Sequence, residues 1–132
     1  MTVLILVVDD EPDVEMLFRQ QFRRDLRSGR FAMDFAFSAA DALRQIAAAD
    51  GVSLILLLSD VNMPGMSGLE LLPMVRQARP HLPVIMITAY GDEDTRSKAI
   101  AGGAAGFLTK PVDFAALRAE IEQRLSAAEP VR

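Results

Sequence analysis

Three stretches of the chain are apolar without alternation, Val3 to Val8, Leu54 to Leu58 and Val84 to Ile87, and a shorter Phe107-Leu108-Thr109 follows. Periodicity alone does not separate such runs from buried helix segments, but their shortness and the turn residues behind them favour strands covered on both faces. Phe31 to Phe37 instead alternates Phe31, Met33, Phe35 and Phe37 with Ala32, Asp34 and Ala36. That pattern predicts a strand with one more exposed face, at the sheet edge, its aromatics in the core.

The intervals carry helical spacing. Val14, Leu17, Phe18, Phe22 and Leu26 predict one helix over Pro12 to Arg27, closed by Ser28-Gly29. Ser38-Ala39-Ala40-Asp41 resembles a capping box and opens an Ala-rich helix through Leu43 and Ile46 to a stop at Asp50-Gly51. Ser67-Gly68-Leu69-Glu70 has the same spacing and starts a helix through Leu71, Leu72, Met74 and Val75, in which Pro73 predicts a kink or a delayed start. Asp92 to Ala101 reads as a short polar helix, and Gly102, Gly103 and Gly106 predict a mobile connection after it. Asp113 is placed to cap a last helix with Phe114, Leu117, Ile121 and Leu125 on one face. Five strands alternating with five helices predict an α/β sheet.

Composition narrows the class. The 132 residues are 51% hydrophobic, enough for one domain with its own core, and there is no cysteine to staple it. No run of eighteen apolar residues and no charged-then-apolar leader is present, so a cytoplasmic protein without a membrane span is expected. A net charge of -4 argues against nucleic acid as a direct partner, and the arginines between Arg19 and Arg30 read as a solvated helix face.

The chemistry gathers where strands end. Val3 to Val8 runs into Asp9-Asp10-Glu11-Pro12, Leu54 to Leu58 into Ser59-Asp60, Val84 to Ile87 into Thr88, and the last strand into Lys110-Pro111. Each has a plain structural reading: Asp9 or Asp10 as a helix cap, Asp60 as a former of the Pro64-Gly65 turn, Thr88 as a turn hydroxyl and Lys110 as a surface charge. All fall at the carboxyl ends of strands, however, where open α/β sheets bind their ligands. Two carboxylates about 4 Å apart repel by roughly 4 kcal/mol at an effective dielectric near 20, so clustered acids protonate or hold a cation. Oxygen-only donors suit Mg²⁺, a hydroxyl and an ammonium suit phosphoryl oxygens, and a carboxylate among them can be the nucleophile.

In these motifs the chain, from Val3 to Leu125, resembles the receiver domain of two-component response regulators: Asp9-Asp10, Asp60 with Met63-Pro64-Gly65, Thr88 and Lys110-Pro111 stand in that family's order. The resemblance implies a flavodoxin-like doubly wound parallel sheet of order 2-1-3-4-5. It implies that Asp60 accepts a phosphoryl group from a sensor histidine kinase or phosphotransfer protein. Mg²⁺ would be held by Asp10, Asp60 and the Asn62 backbone carbonyl, with Asp9 assisting through water. Thr88 and Lys110 would grip the phosphoryl oxygens, Thr88 and Phe107 would act as the switch, and Asn62, Tyr90 and Pro111 would form the pocket rim. The chain would then be no enzyme beyond catalysing its own phosphorylation and dephosphorylation. Signal would leave by the face of the 92–101 helix, the Phe107 strand and the 113–125 helix, toward an output domain or protein or a second copy as a homodimer. Phe107 stands where the family often has Tyr, which removes a hydroxyl contact, and Ser59 stands where an apolar or acidic residue is more usual.

Two rival readings come from other classes. A haloacid-dehalogenase-like phosphatase also pairs a nucleophilic Asp with Mg²⁺, but it requires Asp-x-Asp after the first strand, and Val8-Asp9-Asp10-Glu11 lacks that spacing. A phosphorylation-independent interaction module on the same fold has no use for a complete acidic pocket. The receiver is expected to occupy residues 1–125, with 126–132 a tail or the start of a linker. Cognate kinase, stimulus and output are not encoded in any motif of the chain.

Overall fold

The computed structural model describes residues 3–49, 53–89 and 91–128. In chain order the elements are β1 (Val3–Val8), α1 (Pro12–Gln21), α2 (Arg23–Arg27), β2 (Ala32–Ala36), α3 (Ala39–Ala48), β3 (Ser53–Asp60), α4 (Gly68–Ala78), β4 (Val84–Thr88), α5 (Glu93–Ala101), β5 (Gly106–Thr109) and α6 (Phe114–Ala128). The five strands form one parallel sheet in the order β2-β1-β3-β4-β5. The chain leaves β1 toward β2 on one side and then crosses to β3 on the other, so the loops after β1 and β3 diverge and leave a crevice between them. Ligands of doubly wound sheets bind at such a crevice.

Unbroken aliphatic runs are explained by the two cores they serve. Successive residues of a strand point to opposite faces. Leu6, Val8, Leu57 and Met86 pack on the face covered by α3, α4 and α5, while Ile5, Val7, Leu56, Leu58, Ile85 and Ile87 pack with α1 and α6. Only the edge strand β2 alternates in the expected way, with Met33 buried and Asp34 exposed. The alternation ends early there. Ala36 is buried and Phe37 is 45% exposed, because β2 stops at Ala36, whose carbonyl accepts from the Asp9 amide at 3.0 Å, and Phe37 already belongs to the turn into α3.

Three helical expectations need correction. The segment Pro12 to Arg27 is two helices, because Phe22 leaves helical geometry (φ -109°, ψ 22°). Its ring is fully buried, 6.0 Å from the rings of Phe31 and Phe114 and 6.2 Å from Phe18. Apolar spacing survives the break, so the pattern could not show it. Pro73 lies inside α4 without delaying its start: the helix begins at Gly68, fixed by a complete capping box in which Ser67 and Glu70 exchange bonds of 3.1 and 3.2 Å, and Pro73 is on the exposed side. The glycine-rich stretch after α5 is a tight terminating turn. The amides of Gly102, Gly103, Ala104 and Ala105 donate to Lys98, Ile100, Ala99 and Val84, and Gly103 has φ 97°.

The remaining caps follow the sequence. Ser38 accepts from the Asp41 amide at 3.1 Å, but the Asp41 carboxylate turns to Arg44 and Gln45 and does not close a box. Asp92 accepts from the Thr95 amide at 2.7 Å, and Asp113 from the amides of Ala115 and Ala116 at 3.0 and 3.2 Å.

Candidate functional site

Strand register assembles the site. Val8 pairs with Ser59, Asp60 with Ile87, and Thr88 with Thr109, so Asp9, Asp60, Thr88 and Lys110 emerge side by side at one end of the sheet. Asp9 and Asp60 are buried, 7% and 5% exposed, and Asp10 is half-buried. One carboxylate oxygen from each of the three lies within 4.8 Å of the others.

The acid pair is not spent on capping α1. The N-cap of that helix is Glu11, with no side-chain cap bond, and Pro12 at its first position removes one amide that would need an acceptor. Asp9 Oδ1 accepts from the Glu11 amide at 3.0 Å, ahead of the helix, and its other oxygen, Oδ2, faces the pocket. There Lys110 Nζ donates to it at 3.0 Å and stands 3.7 Å from Asp60 Oδ1, an ion pair longer than a hydrogen bond. The peptide bond from Lys110 to Pro111 is cis.

These neighbours set the charges. Burial raises the Asp60 pKa most, the Asp9 carboxylate raises it further, and Lys110 and the Asn62 amide pull the other way. The net effect lifts it from 3.8 to about 6. Burial by itself would lower Lys110, but the hydrogen bond and charge of Asp9, then the charges of Asp60 and Glu11, outweigh it and hold the ammonium above its ordinary range. The pocket therefore keeps its lysine charged and resists ionisation of Asp60. A cluster of oxygen donors with more negative than positive charge fits a hard divalent cation, and the residues present fit Mg²⁺.

Thr88 is fully buried at the end of β4. Asn62 Nδ2 is 3.4 Å from its Oγ1, a long contact. Phe107 of β5 is half-buried against the core cluster that contains Met86. Pro111 is exposed at the rim, and Tyr90 lies outside the described residues. Ser59 is buried with its hydroxyl donating to the Asp60 carbonyl at 3.1 Å. Sequence reasoning missed one residue of the site. A Cβ on Gly68 would stand 2.2 Å from the Asp60 carbonyl oxygen and 2.7 Å from Met86 Cε, and the Gly68 amide donates to Val61 at 2.8 Å. Only glycine lets α4 start this close to the end of β3. The residue was visible only as an indifferent position of a capping box.

A cavity of about 250 Å³ opens beside Asp60 and Lys110, between Val14 and Leu17 of α1 and Pro111 and Phe114 on the other side. Met16 and Leu17 are exposed on the same helix. No described helix is long and apolar enough to cross a membrane.

Comparison with known proteins gives a consistent picture. The family model described as the response regulator receiver domain matches residues 5–122. The chain is 39% identical over 127 residues to the response regulator protein PilR of Pseudomonas aeruginosa, covering 95% of this chain and 26% of that protein. It is 34% identical to the DNA-binding transcriptional regulator NtrC of Escherichia coli strain K12, covering 93% and 25%. The chain thus spans about a quarter of the length of these relatives. Among solved structures, a CheY-like receiver domain protein from Methanospirillum hungatei matches with a TM-score of 0.82 at 26% identity, covering 96% of each chain. The response regulator TrrA of Thermotoga maritima, in complex with Mg²⁺ and beryllofluoride, matches with a TM-score of 0.77 at 27% identity, covering 94% of this chain and 99% of that one.

Proposed function

The chain belongs to the response-regulator receiver family of two-component systems, and from that premise we propose that Asp60 is its phosphoacceptor. The observation that carries this is the placement of a buried Asp60 carboxylate among Asp9, Asp10 and Lys110 at the crevice of the sheet. In the reaction an Asp60 oxygen attacks the phosphorus of a phosphohistidine on a sensor kinase or phosphotransfer protein. The O–P bond forms as the P–N bond breaks, and the histidine nitrogen leaves with the electron pair. Asp10, Asp60 and the Asn62 carbonyl would hold Mg²⁺, with Asp9 contributing through water. Mg²⁺ supplies charge neutralisation between the carboxylates and the incoming phosphoryl oxygens.

The chain's own residues do the rest. Lys110 offers an ammonium to the phosphoryl oxygens, and Thr88 offers its hydroxyl. Asn62 borders the path by which water would later hydrolyse the acyl phosphate. The acyl phosphate carries roughly -1.5 to -2 charges in place of the single charge of the carboxylate and projects them outward, which draws Thr88 inward and leaves room for Phe107 to turn. The signal then leaves by the face of α5, β5 and α6, toward an output domain, an output protein or a second copy.

Reductive trapping with borohydride tests the assignment, because it converts an acyl phosphate into a stable mass change on one peptide. After incubation with a phosphodonor and Mg²⁺, the change should fall on the peptide containing Asp60. A change on any other peptide would remove Asp60 from the role.

A further inference from the structure

Among the described residues the buried polar or charged side chains are those of Asp9, Ser59, Asp60 and Thr88, and of these Ser59 alone has no part in the pocket. It faces the other way. Alternation along β3 puts Ser59 with Leu57 and Val61 on the side covered by α3, α4 and α5, and strand register seats it between Val8 and Met86, both apolar. A hydroxyl in such a row costs more than a methyl group unless it is hydrogen-bonded. Its Oγ donates to the Asp60 carbonyl at 3.1 Å.

That carbonyl shares a peptide unit with the Val61 amide, which donates to the Ile87 carbonyl at 2.9 Å. The unit is therefore held at both ends, by β4 through its N–H and by Ser59 through its oxygen. The unit after it is held in the same way: the Val61 carbonyl accepts from the Gly68 amide at 2.8 Å, and the Asn62 amide bonds the Asp60 carboxylate. Gly68 leaves the Asp60 carbonyl no slack on the side of α4, since even a Cβ there would stand 2.2 Å from the oxygen.

We propose that Ser59 is a positioning residue for phosphoryl transfer: from the opposite face of the sheet its hydroxyl fixes the peptide unit between Asp60 and Val61, and with it the direction in which the Asp60 carboxylate enters the pocket. This rests on the assignment of Asp60 as phosphoacceptor. Ser59 touches no reacting atom and acts through the main chain. Without the hydroxyl, the Asp60 carbonyl loses a donor in apolar surroundings and the unit is free to turn. An attacking oxygen must lie in line with the phosphorus and its leaving group, so a small turn of the main chain behind it slows transfer.

Ser59→Ala and the equal-shaped pair Ser59→Thr and Ser59→Val test this in the whole chain, by amide hydrogen exchange without divalent ions and by the rate of phosphorylation with phosphoramidate and Mg²⁺. In Ser59→Ala the Val61 amide should exchange at least tenfold faster than in the parent, while the amides of Leu57 and Ile85 keep their rates, and phosphorylation at equal phosphoramidate should be at least fivefold slower. Ser59→Thr keeps the hydroxyl and should exceed Ser59→Val in phosphorylation rate by a similar factor. Parental exchange at Val61 in a folded Ser59→Ala, or a parental phosphorylation rate, overturns the proposal. Equal losses in Ser59→Thr and Ser59→Val overturn it as well, since the effect then belongs to packing. A parent that takes up no phosphoryl group overturns the phosphoacceptor assignment and the role of Ser59 with it, an outcome distinct from a phosphorylated parent whose Ser59→Ala variant reacts equally fast.

Discussion

Lys110 is hydrogen-bonded to Asp9, not to Asp60: its Nζ is 3.0 Å from one carboxylate and 3.7 Å from the other. The lysine therefore neutralises part of the acidic cluster through Asp9 and Asp60, and a cation and Lys110 compete for the same negative charge. Removing the ammonium should strengthen Mg²⁺ binding while removing a grip on the phosphoryl group. Opposite unit charges 4 Å apart attract by about 4 kcal/mol at an effective dielectric near 20, much of it returned to solvent at a partly exposed site. A gain of about tenfold in Mg²⁺ affinity for Lys110→Ala, about 1.4 kcal/mol, is the expected result by calorimetric titration. Weaker binding would show that the lysine organises the acids rather than competing for them.

Stability should depend on pH through Asp60. Its carboxyl holds a proton up to about pH 6 in the folded chain and only to about 3.8 when unfolded. Between those values the unfolded state has already released its proton and the folded state has not, so stability falls as pH rises through the window. The penalty is complete above pH 6. In the absence of divalent ions, Asp60→Asn should gain about 1–2 kcal/mol over the parent at pH 7.5, after discounting for solvent screening, and almost nothing below pH 4. Urea unfolding across pH 4 to 8 measures this. An advantage that is constant with pH would assign the effect to packing.

Gly68 should tolerate no side chain. The Cβ of Gly68→Ala would meet the Asp60 carbonyl at 2.2 Å, so either α4 or the end of β3 must move. The expected cost is about 1–3 kcal/mol of stability, together with slower phosphorylation. Equal phosphorylation rates in parent and Gly68→Ala would separate the close approach from the chemistry.

Much of this arrangement was legible in the chain because its signals are local. Each aliphatic run ends on a residue proposed to carry chemistry, and a parallel sheet brings those ends together whatever the loops do. The strand order and the roles within the pocket came through resemblance to a family, since Asp9, Asp60, Thr88 and Lys110 are far apart in sequence and no spacing links them. What stayed hidden depends on tertiary contact. The break at Phe22 arises from a ring drawn among Phe18, Phe31 and Phe114, and the demand on Gly68 comes from a carbonyl eight residues earlier. The preference of Lys110 for Asp9 over Asp60 is a matter of less than an ångström.

The outward signal is testable without a partner. Adding beryllofluoride and Mg²⁺ should shift amides of α5, β5 and α6 well beyond Lys110 and its neighbours, through Thr88 and Phe107. A few charge-assisted hydrogen bonds can supply the roughly 5.5 kcal/mol needed to carry a population from 1:99 to 99:1. Shifts confined to the pocket would direct the signal to another surface.

The most direct test of the phosphoacceptor assignment is the intact mass of the chain after incubation with a small phosphodonor and Mg²⁺, for the parent and for Asp60→Asn in parallel. The parent should gain the mass of one phosphoryl group, and Asp60→Asn should gain none. Equal phosphorylation of the two would contradict the assignment of Asp60.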